Sequence, residues 1–205
     1  MALIICLSVL LIISILLFSF CPLIKKAIYK KRFLFIYGKK VYKLAYKKDY
    51  YLINNIKIKA DDDQFLHIDH LLFGDKYVYL IKDYYFDGGL SLNNKDASWI
   101  FYYGNSKKPK QKYVKNPMND NDKRINKFCQ LTGLDKSLFI SIILINNDCV
   151  IVSQNNDSDN NFVTKIKDLE NLVSNIENRD VALLNEINLK YAVKDINKLN
   201  LNRKK

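Results

Sequence analysis

Ile68-Asp69-His70-Leu71-Leu72-Phe73-Gly74-Asp75-Lys76-Tyr77-Val78-Tyr79-Leu80-Ile81-Lys82-Asp83-Tyr84 reads as two strands joined by a tight turn. Gly74-Asp75-Lys76 supplies the turn: glycine tolerates positive φ and aspartate bonds nearby backbone. Strand alternation puts Ile68, His70 and Leu72 on one face and His67, Asp69 and Leu71 on the other. The second strand, 77–84, is β-branched and aromatic over most of its length. An acid on one strand, with polar residues near the end of the next, is one way to hold a metal ion against a phosphate ester. How Asp69 stands to Lys82, Asp83 and Tyr84 therefore decides what chemistry the hairpin can support.

Toward the N-terminus, residues 2–24 carry no charge. As a helix they would span about 35 Å, enough for a hydrocarbon core of roughly 30 Å. No Lys or Arg precedes them. After them come Lys25, Lys26, Lys30, Lys31, Arg32, Lys39, Lys40, Lys43, Lys47 and Lys48, with no acid before Asp49. The positive-inside rule then puts the N-terminus outside and the body in the cytoplasm, as a single-pass membrane protein. A cleaved signal peptide fits less well, because the start is not basic and Ser19-Phe20-Cys21 is a poor cleavage site. The lysine run suits an anionic inner leaflet, and nucleic acid such as DNA would be attracted by the same charges.

A helix is expected over 33–46, with Ile36, Val41, Leu44 and Ala45 as its apolar face. A strand is expected over 50–59. Ala60-Asp61-Asp62-Asp63 reads as a solvated acidic turn, since a calcium loop needs alternating ligands and a closing Glu.

Beyond the hairpin, Asp87-Gly88-Gly89 is a turn, 90–92 a short strand, and 99–103 a strand carrying the chain's one tryptophan, Trp99. Residues 104–111 read as a polar, basic loop. Asn116-Pro117 opens a helix that Gly133 closes. The apolar run 138–145 has the look of a strand covered on both faces, and 149–153 is a further strand. After a polar loop at 154–161, amphipathic helices are expected over 166–178 and 180–200.

The chain has 205 residues and a formal net charge of +12. Without the apolar leader about 180 residues remain, enough for one domain with a real core. The basic run at 25–48 accounts for most of the charge. The four cysteines form no CxxC pair, which argues against a zinc site or disulfide framework and for buried thiols in a reducing compartment.

The succession of helix, strand, Ile68-Asp69-His70-Leu71-Leu72, Val78-Tyr79-Leu80-Ile81, Gly88-Gly89, Trp99 and Asn116-Pro117 resembles the NERD (nuclease-related) domain, grouped with the PD-(D/E)xK, restriction-endonuclease-like fold. The resemblance runs from about residue 37 to 153. It implies an α/β fold: a central mixed sheet flanked by helices, here preceded by one transmembrane helix and followed by C-terminal helices. The implied organisation is an anchor over 1–24, a basic juxtamembrane segment over 25–36, the NERD-like domain over 37–153 and a helical extension over 154–205.

The family pattern implies a Gly-Glu in the first helix, the Asp of Ile-Asp, and Glu-x-Lys on the next strand. Two carboxylates then hold a divalent ion and the lysine steadies phosphate charge. Carried over position by position, Gly38 matches, but Lys39 stands at the Glu. Asp69 matches. Lys82 and Tyr84 stand where Glu and Lys are expected, and Asp120 stands where a Gln often follows Asn-Pro.

Asp83 falls one residue late, and alternation points it to the opposite face unless a bulge intervenes. Asp87 lies beyond the strand end. Asp69 beside Lys82 suits an ion pair. His70 faces away from Asp69 as a packed histidine, whereas His67 shares its face as a ligand or hydrogen-bond partner.

Three functions remain open. The first is a catalytically degenerate NERD-like module that binds nucleic acid or a protein partner at the cytoplasmic membrane face, with Lys39, His67, Tyr84, Trp99 and Asn116 as candidate binding residues and no cofactor. The second is an active endonuclease with a migrated site, Asp69 and Asp83 on Mg²⁺ or Mn²⁺ and Lys82 on the phosphate. The third is a structural membrane protein without nucleic-acid contact.

Overall fold

The computed structural model describes residues 2–61, 64–93, 95–104, 107–155 and 158–202, with side chains at Cys21, 24–60 and the later described segments. The chain divides into two compact units, Met1–Ile36 and Tyr37–Lys205. Helix α1 covers Ala2–Lys48. The expected anchor falls on residues 2–24, and the side chains of 2–20, 22 and 23 lie outside the described residues, as do those of Asp61, Asp62 and Asp63 in the expected acidic turn. Among the described residues no helix is long and apolar enough to cross a membrane. The expected span at 2–24 therefore gains no support from the structure.

In the second unit the lysine-rich helix buries Tyr37, Val41, Leu44 and Ala45. These positions follow a helical period, and Tyr37 rather than Ile36 heads the face.

The central hairpin lies inside a five-stranded sheet. Its strands are β1 (Tyr51–Asp61), β2 (Gln64–Phe73), β3 (Val78–Tyr84), β7 (Phe139–Ile145) and β9 (Asn161–Lys165), in the order β1-β2-β3-β7-β9. β1, β2 and β3 run antiparallel, and β3, β7 and β9 run parallel. Every residue of β7 is buried, as its unbroken apolar run requires.

Gly74 closes the turn by donating its N–H to Tyr77 O at 2.9 Å. The turn therefore covers 74–77 rather than 74–76. Gly74 is not among the glycines with positive φ. Its requirement is room, because a Cβ there would stand 2.1 Å from Glu177 Oε1.

A second sheet is built from β4 (Gly89–Asn93), β5 (Ser98–Tyr103), β6 (Lys110–Lys115) and β8 (Val150–Asn155), in the order β6-β5-β4-β8. β6 begins at Lys110, inside the stretch expected as a basic loop, and runs on through 112–115, where no element was expected. Lys110-Gln111-Lys112-Tyr113-Val114-Lys115 has no apolar face, so alternation gives no signal, and pairing with β5 organises it as a lysine-bearing edge.

Helix α2 (Pro117–Thr132) joins the layers. Asn116 caps it through Met118 N, and Gly133 ends it at φ 73°. Inside α2, the Asn121 side-chain amide donates to Leu80 O at 3.2 Å and to Ser141 Oγ at 2.9 Å. These bonds fix α2 against β3 and β7. Ile125 and Phe128 pack with Leu71, Phe73, Val78 and Leu80.

The C-terminal helices are α3 (Leu169–Glu177) and α4 (Glu186–Leu199), both shorter than expected. Glu177 grips the hairpin turn. It accepts from Tyr79 Oη at 2.6 Å and from Lys76 N at 2.9 Å. Burial raises both the Glu177 carboxyl and the Tyr79 phenol above their ordinary values. Farther along, Leu184 N donates to Asp75 O, and Leu201 N to Lys57 O. The extension is thus tied to the β2–β3 turn and to β1. Glu177→Ala leaves Tyr79 Oη and Lys76 N without their acceptor and should cost about 1–3 kcal/mol, measured as a lower urea midpoint at unchanged slope.

Candidate functional site

Asp69 lies where two ladders break. Between β1 and β2 the register holds at Asn54↔His70 and Ile56↔Ile68, but the intervening Asn55 opposite Asp69 is unpaired. Asn55 adopts φ 53°, a left-handed conformation that asparagine tolerates better than most residues. Between β2 and β3 the pairing ends at His70↔Ile81. Past that point the Asp69 side chain takes over the role of backbone. Oδ1 accepts from Lys82 Nζ at 2.7 Å and Oδ2 accepts from Asp83 N at 3.0 Å. Both Asp69 and Lys82 side chains are 21% exposed, so the pair is largely withdrawn from water.

Tyr84 follows Lys82 on the same face of β3. Burial raises its phenol, while the Arg124 guanidinium pulls it down and Asp120 and Asp69 push it up. Asp120 and Arg124 both lie on α2, so charges of that helix act on Tyr84. Asp120 is in turn paired with Lys115 Nζ at 2.6 Å. Among the described residues, Arg124 Nη1 is buried without a hydrogen-bond partner. Lys82 and Lys115 thus each pair with a carboxylate, Asp69 and Asp120.

The opposite face of the same strands is organised differently. His70 Nε2 contacts Asp83 Oδ2 at 2.9 Å, and its Nδ1 contacts Asn54 Oδ1 at 2.7 Å. With Nδ1–H donating to Asn54, the Nε2···Oδ2 contact holds one proton between imidazole and carboxyl. The His70 and Asp83 side chains are 6% and 1% exposed. Burial raises the Asp83 carboxyl, and the His70 contact partly reverses that. α1 lies over this pair. A Cβ on Gly38 would be 3.5 Å from His70 Cε1, and Tyr37 Oη donates to Tyr84 O at 3.2 Å.

A family model for the nuclease-related domain (NERD) matches residues 38–155, more than half of the chain. The chain belongs to the NERD family. No curated protein and no solved structure matches it.

Within the NERD domain, the structure brings Asp69 and Lys82 together and separates Asp69 from Asp83. The two carboxylates point to opposite faces of the sheet, and no bulge is recorded between β2 and β3 to reunite them. Lys39 is exposed on α1, His67 is exposed on β2, and Asp87 is exposed beyond β3. Asp69 takes its hydrogen bonds from Lys82 and Asp83 N, not from His67.

Trp99 is buried and donates Nε1–H to Asn93 O at 3.2 Å, which anchors the second sheet. Asn116 is buried at the α2 cap and donates to Asp96 O at 2.8 Å. Both hold the fold together rather than face a ligand.

Among the described residues no three His, Cys, Asp or Glu side chains come together as metal ligands. The donor set at Asp69 does not fit Mg²⁺ or Mn²⁺. Such an ion takes hard anionic oxygens, and here both carboxylate oxygens already accept hydrogen bonds, one of them from the Lys82 ammonium.

Sequence reasoning missed Arg124, Lys115 and Asn55. Arg124 stands four residues after Asp120 on one helix face, a spacing that could have flagged it. A left-handed asparagine inside a strand leaves no pattern to read.

His70→Ala strands the Asp83 carboxyl in the core and should cost about 3–5 kcal/mol, as for other buried pairs broken from one side. Asp83→Asn keeps an oxygen for His70 and should cost much less. The raised Asp83 carboxyl helps the folded pair keep its one proton, whereas the unfolded chain, with Asp83 ionised, holds its one proton on histidine and gives it up near the free value. Stability should therefore decline as pH rises through about 6.5 until the folded pair also ionises. Urea titrations across pH should show this decline in the native chain and its absence in Asp83→Asn.

Proposed function

We propose that this protein is a membrane-anchored NERD-domain protein that does not cleave phosphodiesters, and that it holds nucleic acid at the cytoplasmic face of the membrane. The observation that carries this reading is the state of Asp69, whose two oxygens are occupied by Lys82 Nζ and the Asp83 amide. A nuclease of this pattern needs Asp69 and a second carboxylate on one ion. The positions for that second acid hold Lys39 and Lys82, and the position for the phosphate-facing lysine holds Tyr84. What remains is a cluster whose Lys82 and Lys115 suit phosphate without the means to activate water.

The antiparallel β1–β2–β3 unit, continued in parallel by β7 after α2, supports reading the domain as restriction-endonuclease-like. The uncharged stretch 2–24, followed by lysines, supports the anchor and its orientation. Near an anionic leaflet the run at 25–48 would serve both the lipid surface and nucleic-acid phosphates.

The full chain, extracted in mild detergent, should retain linear DNA in a salt-dependent manner and leave it uncut in Mg²⁺ or Mn²⁺. Cleavage that Asp69→Ala abolishes would refute the reading. The anchor is tested separately by alkaline extraction of membranes, where the chain should stay in the pellet and a chain lacking 2–24 should not.

A further inference from the structure

From Tyr84, two residues after Lys82 on β3, a row of aromatic rings leads along the second sheet. Tyr84 and Phe86 lie at and just past the end of β3, with ring centroids 5.8 Å apart and planes within 12°. Phe86 meets Phe101 at 5.7 Å. Phe101 and Tyr103, alternate residues of β5, lie 5.9 Å apart with planes within 13°. The first three rings are partly buried, and Tyr103 at the outer end is 38% exposed.

The row runs along one face of the second sheet from its core to its edge. Trp99, on the same face of β5, is buried with Leu90, Leu92 and Ile143. Tyr84, Phe86 and Phe101 pack against that cluster, and Tyr103 is the exposed ring of the four. On β6 the residues paired with Phe101 and Tyr103 are Lys112 and Lys110. Lys112 Nζ stands 5.6 Å from the Phe101 ring centre and 5.7 Å from that of Tyr103.

We propose that the outer end of the row, Phe101 and Tyr103, is a stacking platform for the unpaired bases of a single-stranded nucleic acid, with Lys110 and Lys112 taking the phosphates. This deepens the proposed function and rests on it. Aromatic rings interleaved with cations match a ligand that alternates flat π faces with negative charges. In a duplex the base faces are already stacked on one another, so a row of rings has nothing to receive. An apolar protein surface would leave the flanking lysines desolvated and unpaired. Lys112 now covers the outer rings. A base that replaces it there leaves the ammonium beside that nucleotide's own phosphate, so charge pairing is kept as stacking is gained.

The test is fluorescence anisotropy of the full chain in detergent with labelled oligo-dT, oligo-rU and a DNA duplex of equal charge. Single strands should bind more tightly than the duplex, and the tighter of the two single strands assigns the platform to DNA or to RNA. Tyr103→Ala should weaken single-strand binding about five-fold or more, the least expected from losing one base–aromatic stack. Tyr103→Phe should retain it, and Lys112→Gln should flatten the salt dependence. Trp99 emission reports that each variant is folded.

Equal binding of duplex and single strand, or unchanged affinity in a folded Tyr103→Ala, overturns the platform while leaving nucleic-acid binding in place. Absence of binding to all three probes overturns the platform and the proposed function together, and leaves this face to a protein partner.

Discussion

A carboxylate withdrawn from water must be given partners, and the partners it has decide what its site can do. Asp69 is such a carboxylate. In a metal-dependent nuclease a divalent ion and its bound water would meet that need. Here a lysine and a backbone amide meet it, both supplied by β3. The amide is available because β2 and β3 stop pairing after His70↔Ile81, and the lysine is within reach because Lys82 follows on the face that Asp69 shares. One local arrangement therefore ends the ladder, neutralises the acid and takes the place an ion would need.

The other face of the same two strands shows why the missing acid cannot be borrowed. Asp83 is next to Lys82 in the chain, but alternation sends it to His70, and His70 is locked in turn by Asn54 and overlaid by α1 at Gly38. Turning Asp83 toward Asp69 would break a buried pair and put two carboxylates together beneath a helix. The sheet thus keeps an ion pair on the α2 side and a proton-sharing pair on the α1 side, separated by the thickness of the strands. The C-terminal extension adds to this rigidity, because Glu177 fixes the turn from which β3 sets out.

Much of this arrangement could be read from residue order. The Asn116-Pro117 start and Gly133 stop of α2, the buried strand β7 and the placing of Asp69 with Lys82 all follow from capping chemistry or from strict alternation. The unread parts lacked a local signal. β6 alternates lysine with glutamine and tyrosine, so nothing marks an inner face until β5 pairs with it. β9 is a short strand in an asparagine-rich stretch, defined by its parallel neighbour β7. Gly74 suggested a left-handed turn, whereas its constraint is a glutamate that arrives from far along the chain. The Arg124 charge acts on Tyr84 only because Asn121 sets how α2 lies against β3. In each case the deciding contact is tertiary.

The most direct measurement is a Mn²⁺ titration of the full chain followed by electron paramagnetic resonance, with Asp69→Ala titrated alongside. With Asp69 already occupied by Lys82 and the Asp83 amide, the two proteins should deplete the free Mn²⁺ signal equally. A saturable site present in the native chain and absent from Asp69→Ala would contradict the account.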